Sequence, residues 1–361
     1  MVTPAAQHLL DSSWTIHRLS PLHHEKEFQS LIDNPIALKT YATRLRDQLT
    51  GNAFAGFQVS GVGAEDDALS RTGALQNCTW ELLPALSFLD SDGSASDNYL
   101  KRSSGILVVL QYENTIYKAA LLAPPEDKSR GHEEPESTTH LPLLLTRLPN
   151  PLRQTFIQFL ATNFDTYCSV LRLPSYFMCS ALEMYINHLT LDDNSSSSGS
   201  SQGVVRNVIR ELQLTLAFSA PVSPELKTLN ITIPRASLTS FLSPSHSVAD
   251  STQSGSMLSG LSEYIKKHLA MDLQLTDTPT SRQSPANQHL RLTKIACGGF
   301  ILGSEGRVKL NTYSKSKRAS DDPAEDEDSL HSVRGRLSLR ASEALLQSIF
   351  RRAVSRDDST K

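Results

Sequence analysis

Cysteine is scarce: four in 361 residues, at Cys78, Cys168, Cys179 and Cys297, with no C-x-x-C pair and no histidine at metal spacing. That excludes a disulfide framework and suits reduced thiols inside an intracellular compartment. Long apolar runs are missing too. None approaches the ~18 residues that a membrane span needs, and MVTPAAQHLLDSSW has no basic start leading into an apolar core, so neither a membrane span nor a secretory signal is expected. Catalytic signatures are absent in the same way. Gly298, Gly299, Gly303 and Gly306 are spaced for turns, and no Gly-Lys-Ser/Thr follows a strand, so no phosphate-binding loop is present. There is no nucleophile elbow and no metalloprotease histidine pair. The adjacent His23–His24 suits a polar loop better than a shared metal, Asp192–Asp193 sits beside a serine-rich tract, and the acidic run at 321–328 lacks the alternating ligands of a calcium loop. Neither an enzyme nor a cofactor nor a small-molecule substrate is expected.

A strong net charge is also lacking. The formal total of −3 argues against a wholly basic nucleic-acid binder, but it hides a segregation. Arg282, Arg291, Lys294, Arg307, Lys309, Lys315, Lys317 and Arg318 stand against Glu305 alone, a local +7, and Asp321, Asp322, Glu325, Asp326, Glu327 and Asp328 follow at once. Only Phe300 and Tyr313 fall among these bases, which makes neither an interleaved stacking series nor a base-reading motif, so any contact with DNA would be driven by shape and charge rather than by base sequence. The competing role for such bases is to guard a sheet edge against unwanted pairing. Lys315–Arg318 also resembles a short nuclear-import signal.

The centre of the sequence's organisation is HLRLTKIACGGFILGSEGRVKL, His289 to Leu310. It reads as three short strands joined at glycine-marked turns, with Gly298–Gly299 expected to supply positive φ. Upstream, WTIHRL (Trp14–Leu19) alternates as a strand with Trp14, Ile16 and Arg18 on one face. NPIALKTYATRLRDQLTG carries an Asn34 cap, Pro35 in the first turn, a stripe of Leu38, Tyr41, Ala42, Leu45 and Leu49, and a stop at Gly51. Strands are expected at Phe54–Val62, Leu75–Leu83, Ile106–Tyr112 and Thr115–Ala123, the last two as an antiparallel pair. Asn150–Pro151 predicts a capped helix with Leu152, Phe156, Phe159 and Leu160 inside, and a second helix follows over Ser175–Leu189. LDDNSSSSGSSQ looks too polar to pack. Leu212–Phe218 and Leu229–Ile233 alternate strictly, a helix carries Met257, Leu258, Leu261, Tyr264, Ile265 and Leu269, and a last helix runs from Ser338 to Val354 around Leu345, Leu346, Ile349 and Phe350.

Taken together, WTIHRLSPLHH, NPIALKTYATRLRDQLTG, GALQNCTWELL, LPLLLTRLPNPLRQTFIQFLATNFDTYCSVLRLP and LRLTKIACGGFILGSEGRVKL resemble, in this order, the fungal inner-kinetochore centromere protein L (CENP-L) family. The resemblance implies a non-enzymatic nuclear subunit of the constitutive centromere-associated network. It implies a heterodimer with a CENP-N-type subunit, contacts with other inner-kinetochore subunits, and help in binding centromeric CENP-A nucleosomes during chromosome segregation.

The expected fold is α+β: a mostly antiparallel β-sheet with packed helices and a β-rich C-terminal part. The expected divisions are an N-terminal α+β domain at 1–191, a serine-rich linker or loop at 192–203, a β-rich domain at 204–313, a charged disordered segment at 314–333, and a helix with its tail at 334–361. The candidate DNA-facing residues are Arg291, Lys294, Arg307, Lys309, Lys315, Lys317 and Arg318. An adaptor without any nucleic-acid role is the alternative. Salt-dependent DNA binding separates the two.

Overall fold

The computed structural model describes residues 3–24, 27–28, 30–32, 34–54, 71–89, 104–123, 137–190, 198–218, 227–238, 241, 257–269, 290–313 and 325–355. Contacts divide the chain into two compact units. One comprises Met1–His8, Ser13–Leu171 and Ile349–Lys361, and the other Leu9–Ser12 and Arg172–Ser348. The boundary expected at 191 thus falls inside the second unit. The described residues form antiparallel sheets and seven helices, an α+β fold.

In the first unit, β1 (Ser13–Leu19), β3 (Leu75–Leu83), β4 (Gly105–Tyr112), β5 (Ile116–Leu122), β7 (Leu143–Arg147) and β8 (Cys168–Val170) form a sheet in the order β8-β1-β7-β5-β4-β3. A small ribbon, β2 (Leu22–His23) with β6 (Thr138–Thr139), lies apart. Helices α2 (Pro35–Phe54) and α3 (Asn150–Phe164) bring their apolar stripes to a core shared with Cys78, Trp80, Ile106, Val108 and Leu121. Its centre is aromatic, with Tyr41 and Phe164 ring centroids 4.5 Å apart and Trp80 beside both. Such pairs add to the burial of apolar area.

Local chemistry explains where α2 begins. Asn34 Oδ1 accepts from the amide of Ala37 at 3.1 Å, which is the capping geometry the sequence suggested. Its end differs from expectation. The helix runs through Gly51 to Phe54, because Gly51 does not adopt the positive φ that would turn the chain. Phe54 is therefore helical rather than the start of a strand, and 55–62 lie outside the described residues. At α3, Pro149 rather than Asn150 occupies the cap. Asn150 Oδ1 accepts from Arg153 Nη2 at 2.7 Å and makes no capping bond.

The second unit holds β9 (Leu212–Phe218), β10 (Thr228–Ile233), β11 (Leu290–Ala296), β12 (Phe300–Gly303) and β13 (Arg307–Leu310) in the antiparallel order β10-β9-β11-β12-β13. One face is apolar and carries Leu212, Leu214, Leu216, Ile231, Ile233, Leu292, Ile295, Phe300, Leu302, Val308 and Leu310. Helix α4 (Ser175–Thr190) packs on it and meets α5 (Ser198–Ile209) and α6 (Met257–Leu269). Helix α5 begins inside the serine-rich tract, so 198–203 are helical and not a linker. Val204, Val205, Val208 and Ile209 supply the buried stripe that carries it. Helix α7 (Glu325–Val354) likewise starts within the charged segment expected to be disordered. Thirty residues of continuous helix need no local stop until Val354.

Candidate nucleic-acid interface

Antiparallel pairing fixes which side chains share a face, and β9 sets the frame. Leu212, Leu214 and Leu216 point to the helices, which leaves Gln213, Thr215 and Ala217 on the other face. On strict alternation Arg291 and Lys294 of β11 would fall on opposite faces, since they are three positions apart. The structure places both on the open face. Arg291 pairs with Ala217 and Lys294 with Thr215, because the register shifts between Leu292 and Lys294 and leaves Thr293 as an inserted residue. This β-bulge lets Leu292 and Ile295 both reach the core while both bases face outward. Thr293 Oγ1 donates to the Thr215 carbonyl at 3.0 Å, which ties the bulge to β9.

The row continues across the sheet. Lys294 lies opposite Gly303, which lies opposite Arg307, and Ile301 lies opposite Lys309. Arg291, Lys294 and Arg307 are exposed and Lys309 is half-buried. Within strands β9 to β13 the rest of this face is Gln213, Thr215, Ala217, Thr228, Asn230, Thr232, Ala296, Ile301 and Gly303, with no carboxylate. Asn230 and Thr215 join through a 2.8 Å hydrogen bond. The nearest acids in sequence are Glu211, whose Oε1 accepts from Gln213 Nε2 at 2.9 Å, and Glu305 in the β12–β13 turn. Three exposed cations and the half-buried Lys309, which also lines a cavity with Asp11, Val208 and Ser338, lie on one polar strand face fit for phosphates. Lys315, Lys317 and Arg318 lie outside the described residues.

Two turns hold these strands in register, each with its own need for glycine. Gly306 has φ +79°, the left-handed region that L side chains avoid, and its amide donates to the Gly303 carbonyl at 3.0 Å. The Gly298–Gly299 turn was expected to need positive φ as well, and it does not. There glycine is required for close approach. A β-carbon on Gly298 would collide with the Val208 carbonyl, and one on Gly299 with the Tyr185 ring. Tyr185 is buried beneath Phe300, with ring centroids 4.9 Å apart, and its hydroxyl hydrogen-bonds Ser338 at 3.2 Å.

Among the described residues no cluster of His, Cys, Asp and Glu could hold a metal, and no helix is long and apolar enough to cross a membrane. Burial pushes the thiols of Cys78 and Cys168 up to about 12 and that of Cys297 up to about 11, the reverse of what a nucleophile needs. His24, expected in a polar loop, is buried, with Nε2 3.0 Å from Thr139 Oγ1. The bulge at Thr293 is the feature that sequence reading missed. Its one trace is the spacing of Leu292 and Ile295, which a regular strand cannot bury together.

No curated protein matches the chain. The family model of centromere protein L matches residues 8–354 of the 361, nearly the whole length, and the chain therefore belongs to that family of structural centromere and kinetochore subunits.

Proposed function

We propose that this chain is a non-enzymatic inner-kinetochore subunit that pairs with a CENP-N-type partner and helps to hold centromeric CENP-A chromatin in the nucleus. In this reading the open face of the β9–β13 sheet meets nucleosomal DNA through Arg291, Lys294, Arg307 and Lys309. Lys315, Lys317 and Arg318 extend the same charge along the chain. The observation that carries the reading is the bulge at Thr293, which turns two bases of β11 to the side shared by the two bases of β13. Sequence preference would come from DNA shape, because the face offers no aromatic side chain for stacking and few groups for reading base edges.

Binding of the purified chain, alone and with its partner, to nucleosomes over a salt series tests it. Each phosphate neutralised on duplex DNA contributes ~0.9 to the slope of log affinity against log salt, so four contacts give roughly −3.6. Charge reversal at Lys294, Arg307 and Lys309 is expected to flatten that slope while the protein stays folded. Unchanged affinity and slope in the folded variant would overturn the DNA-facing assignment. Recovery of centromere proteins from nuclei by affinity capture tests the partnership separately.

A further inference from the structure

We propose that the free edge of β3, with the groove between β3 and α2, binds an extended acidic segment of a partner protein as an added strand. Among the described strands β3 pairs with β4 alone, so the main-chain donors and acceptors on its other side have no strand partner. Proteins usually protect such an edge with lysine, proline or shortness. β3 is nine residues long and reads LQNCTWELL, with no lysine, arginine or proline. Its one irregularity, a register shift between Leu75 and Asn77, is confined to the first residues and leaves the rest regular.

Beside this edge runs a cleft of about 820 Å³. Leu38, Ala42, Cys78 and Trp80 give it an apolar lining. Trp80 is 6% exposed, and its indole Nε1 is buried with no acceptor among the described residues. The α2 rim carries exposed Lys39 and Arg46. They lie seven positions apart on the helix, a rise of about 10 Å. Carboxylates four residues apart on a strand are spaced by ~13 Å, within the reach of these flexible side chains. Arg46 pairs with Asp47 at 3.1 Å, but both are exposed, and such pairs exchange readily. On the strand side Glu81 accepts from Thr79 Oγ1 at 2.9 Å, which leaves the cationic rim on the helix. The surface thus offers main-chain pairing on one side, an apolar floor, and cations opposite, as strand addition requires.

A fluorescein-labelled, end-blocked peptide EVTVEVTV is the probe, titrated into the full-length protein by fluorescence anisotropy. Saturable binding is expected, with slowed amide exchange in Leu75–Leu83. N-methylation of alternate peptide amides is expected to abolish binding. Lys39→Glu with Arg46→Glu, both at exposed sites, is expected to weaken it roughly tenfold. The proposal is overturned if no saturable binding occurs, if the N-methylated peptide binds equally well, if charge reversal has no effect, or if protection appears away from β3. Sedimentation supplies the remaining outcome: a dimer that protects β3 and excludes the probe would assign the edge to a second copy of this chain instead.

Discussion

His17 lies on β1 between core residues, 1% exposed, with Nε2 3.1 Å from Thr146 Oγ1 and no partner for Nδ1 among the described residues. Burial, and then the Arg153 charge, lower its pKa to about 4. The unfolded chain, with a histidine near 6.5, therefore binds more protons than the folded one between those values. Stability is fully present above about 6.5 and is lost as pH falls towards 4, by up to roughly 3 kcal/mol for this group. His8, His24 and His188 are lowered as well, chiefly by burial, and act in the same direction. Urea midpoints measured between pH 4 and 7 should fall with acid in the native chain and fall less steeply in His17→Gln. Identical slopes would show that His17 is not the buried neutral imidazole described. Reading WTIHRL as plain alternation hides this residue, because pairing on both sides of β1, with Thr146 of β7 and Val170 of β8 at hand, buries positions that period-two reasoning leaves in solvent. Arg18, which that reasoning set beside Trp14, donates from Nη2 to the carbonyls of Arg352 and Ser355, each at 2.8 Å. It closes the C-terminal end of α7, where a cation also favours the helix dipole.

Elements whose signal is local are legible in the sequence, and elements whose limits depend on distant packing are not. β3 and β9 begin and end where alternation of side chains says they should, because one face of each is buried against helices. The same alternation fails at Thr293, where two core residues three apart are reconciled only by an inserted residue. The cationic face was therefore visible as composition but not as geometry. Glycine is the second ambiguity. Gly306 turns the chain, Gly51 sits inside a helix, and Gly298 makes room for a carbonyl, yet all three look alike as letters. Asparagine before proline divides in the same manner and gives a paired test. Asn34→Ala removes the bond to the Ala37 amide and should cost about 1 kcal/mol. Asn150→Ala removes only an exposed bond to Arg153 and should stay within ~0.5 kcal/mol of the native chain. Equal losses in thermal unfolding would contradict the different capping of α2 and α3.

At the scale of the whole chain, the scarce cysteines become useful, because they divide two and two between the compact units. Cys78 and Cys168 belong to the first, Cys179 and Cys297 to the second. Cys78, Cys179 and Cys297 are buried and Cys168 is half-buried. With their pKa values raised by burial, Cys78, Cys168 and Cys297 carry little thiolate near neutral pH. Reaction with iodoacetamide in the native state is therefore expected to be slow and to begin at Cys168, the thiol with the best access. Labelling across a urea series, read cysteine by cysteine by mass spectrometry, then reports each unit separately. Cys179 on α4 and Cys297 beside β11 sit in one core, since α4 packs against β11 and Ser175 Oγ donates to the Leu292 carbonyl at 3.3 Å. They should become reactive at the same urea concentration, whatever concentration exposes Cys78. If Cys297 opened well before Cys179, the turn that orients β11 would be loosening apart from its helix, and the four bases would lose their common face before the unit unfolds.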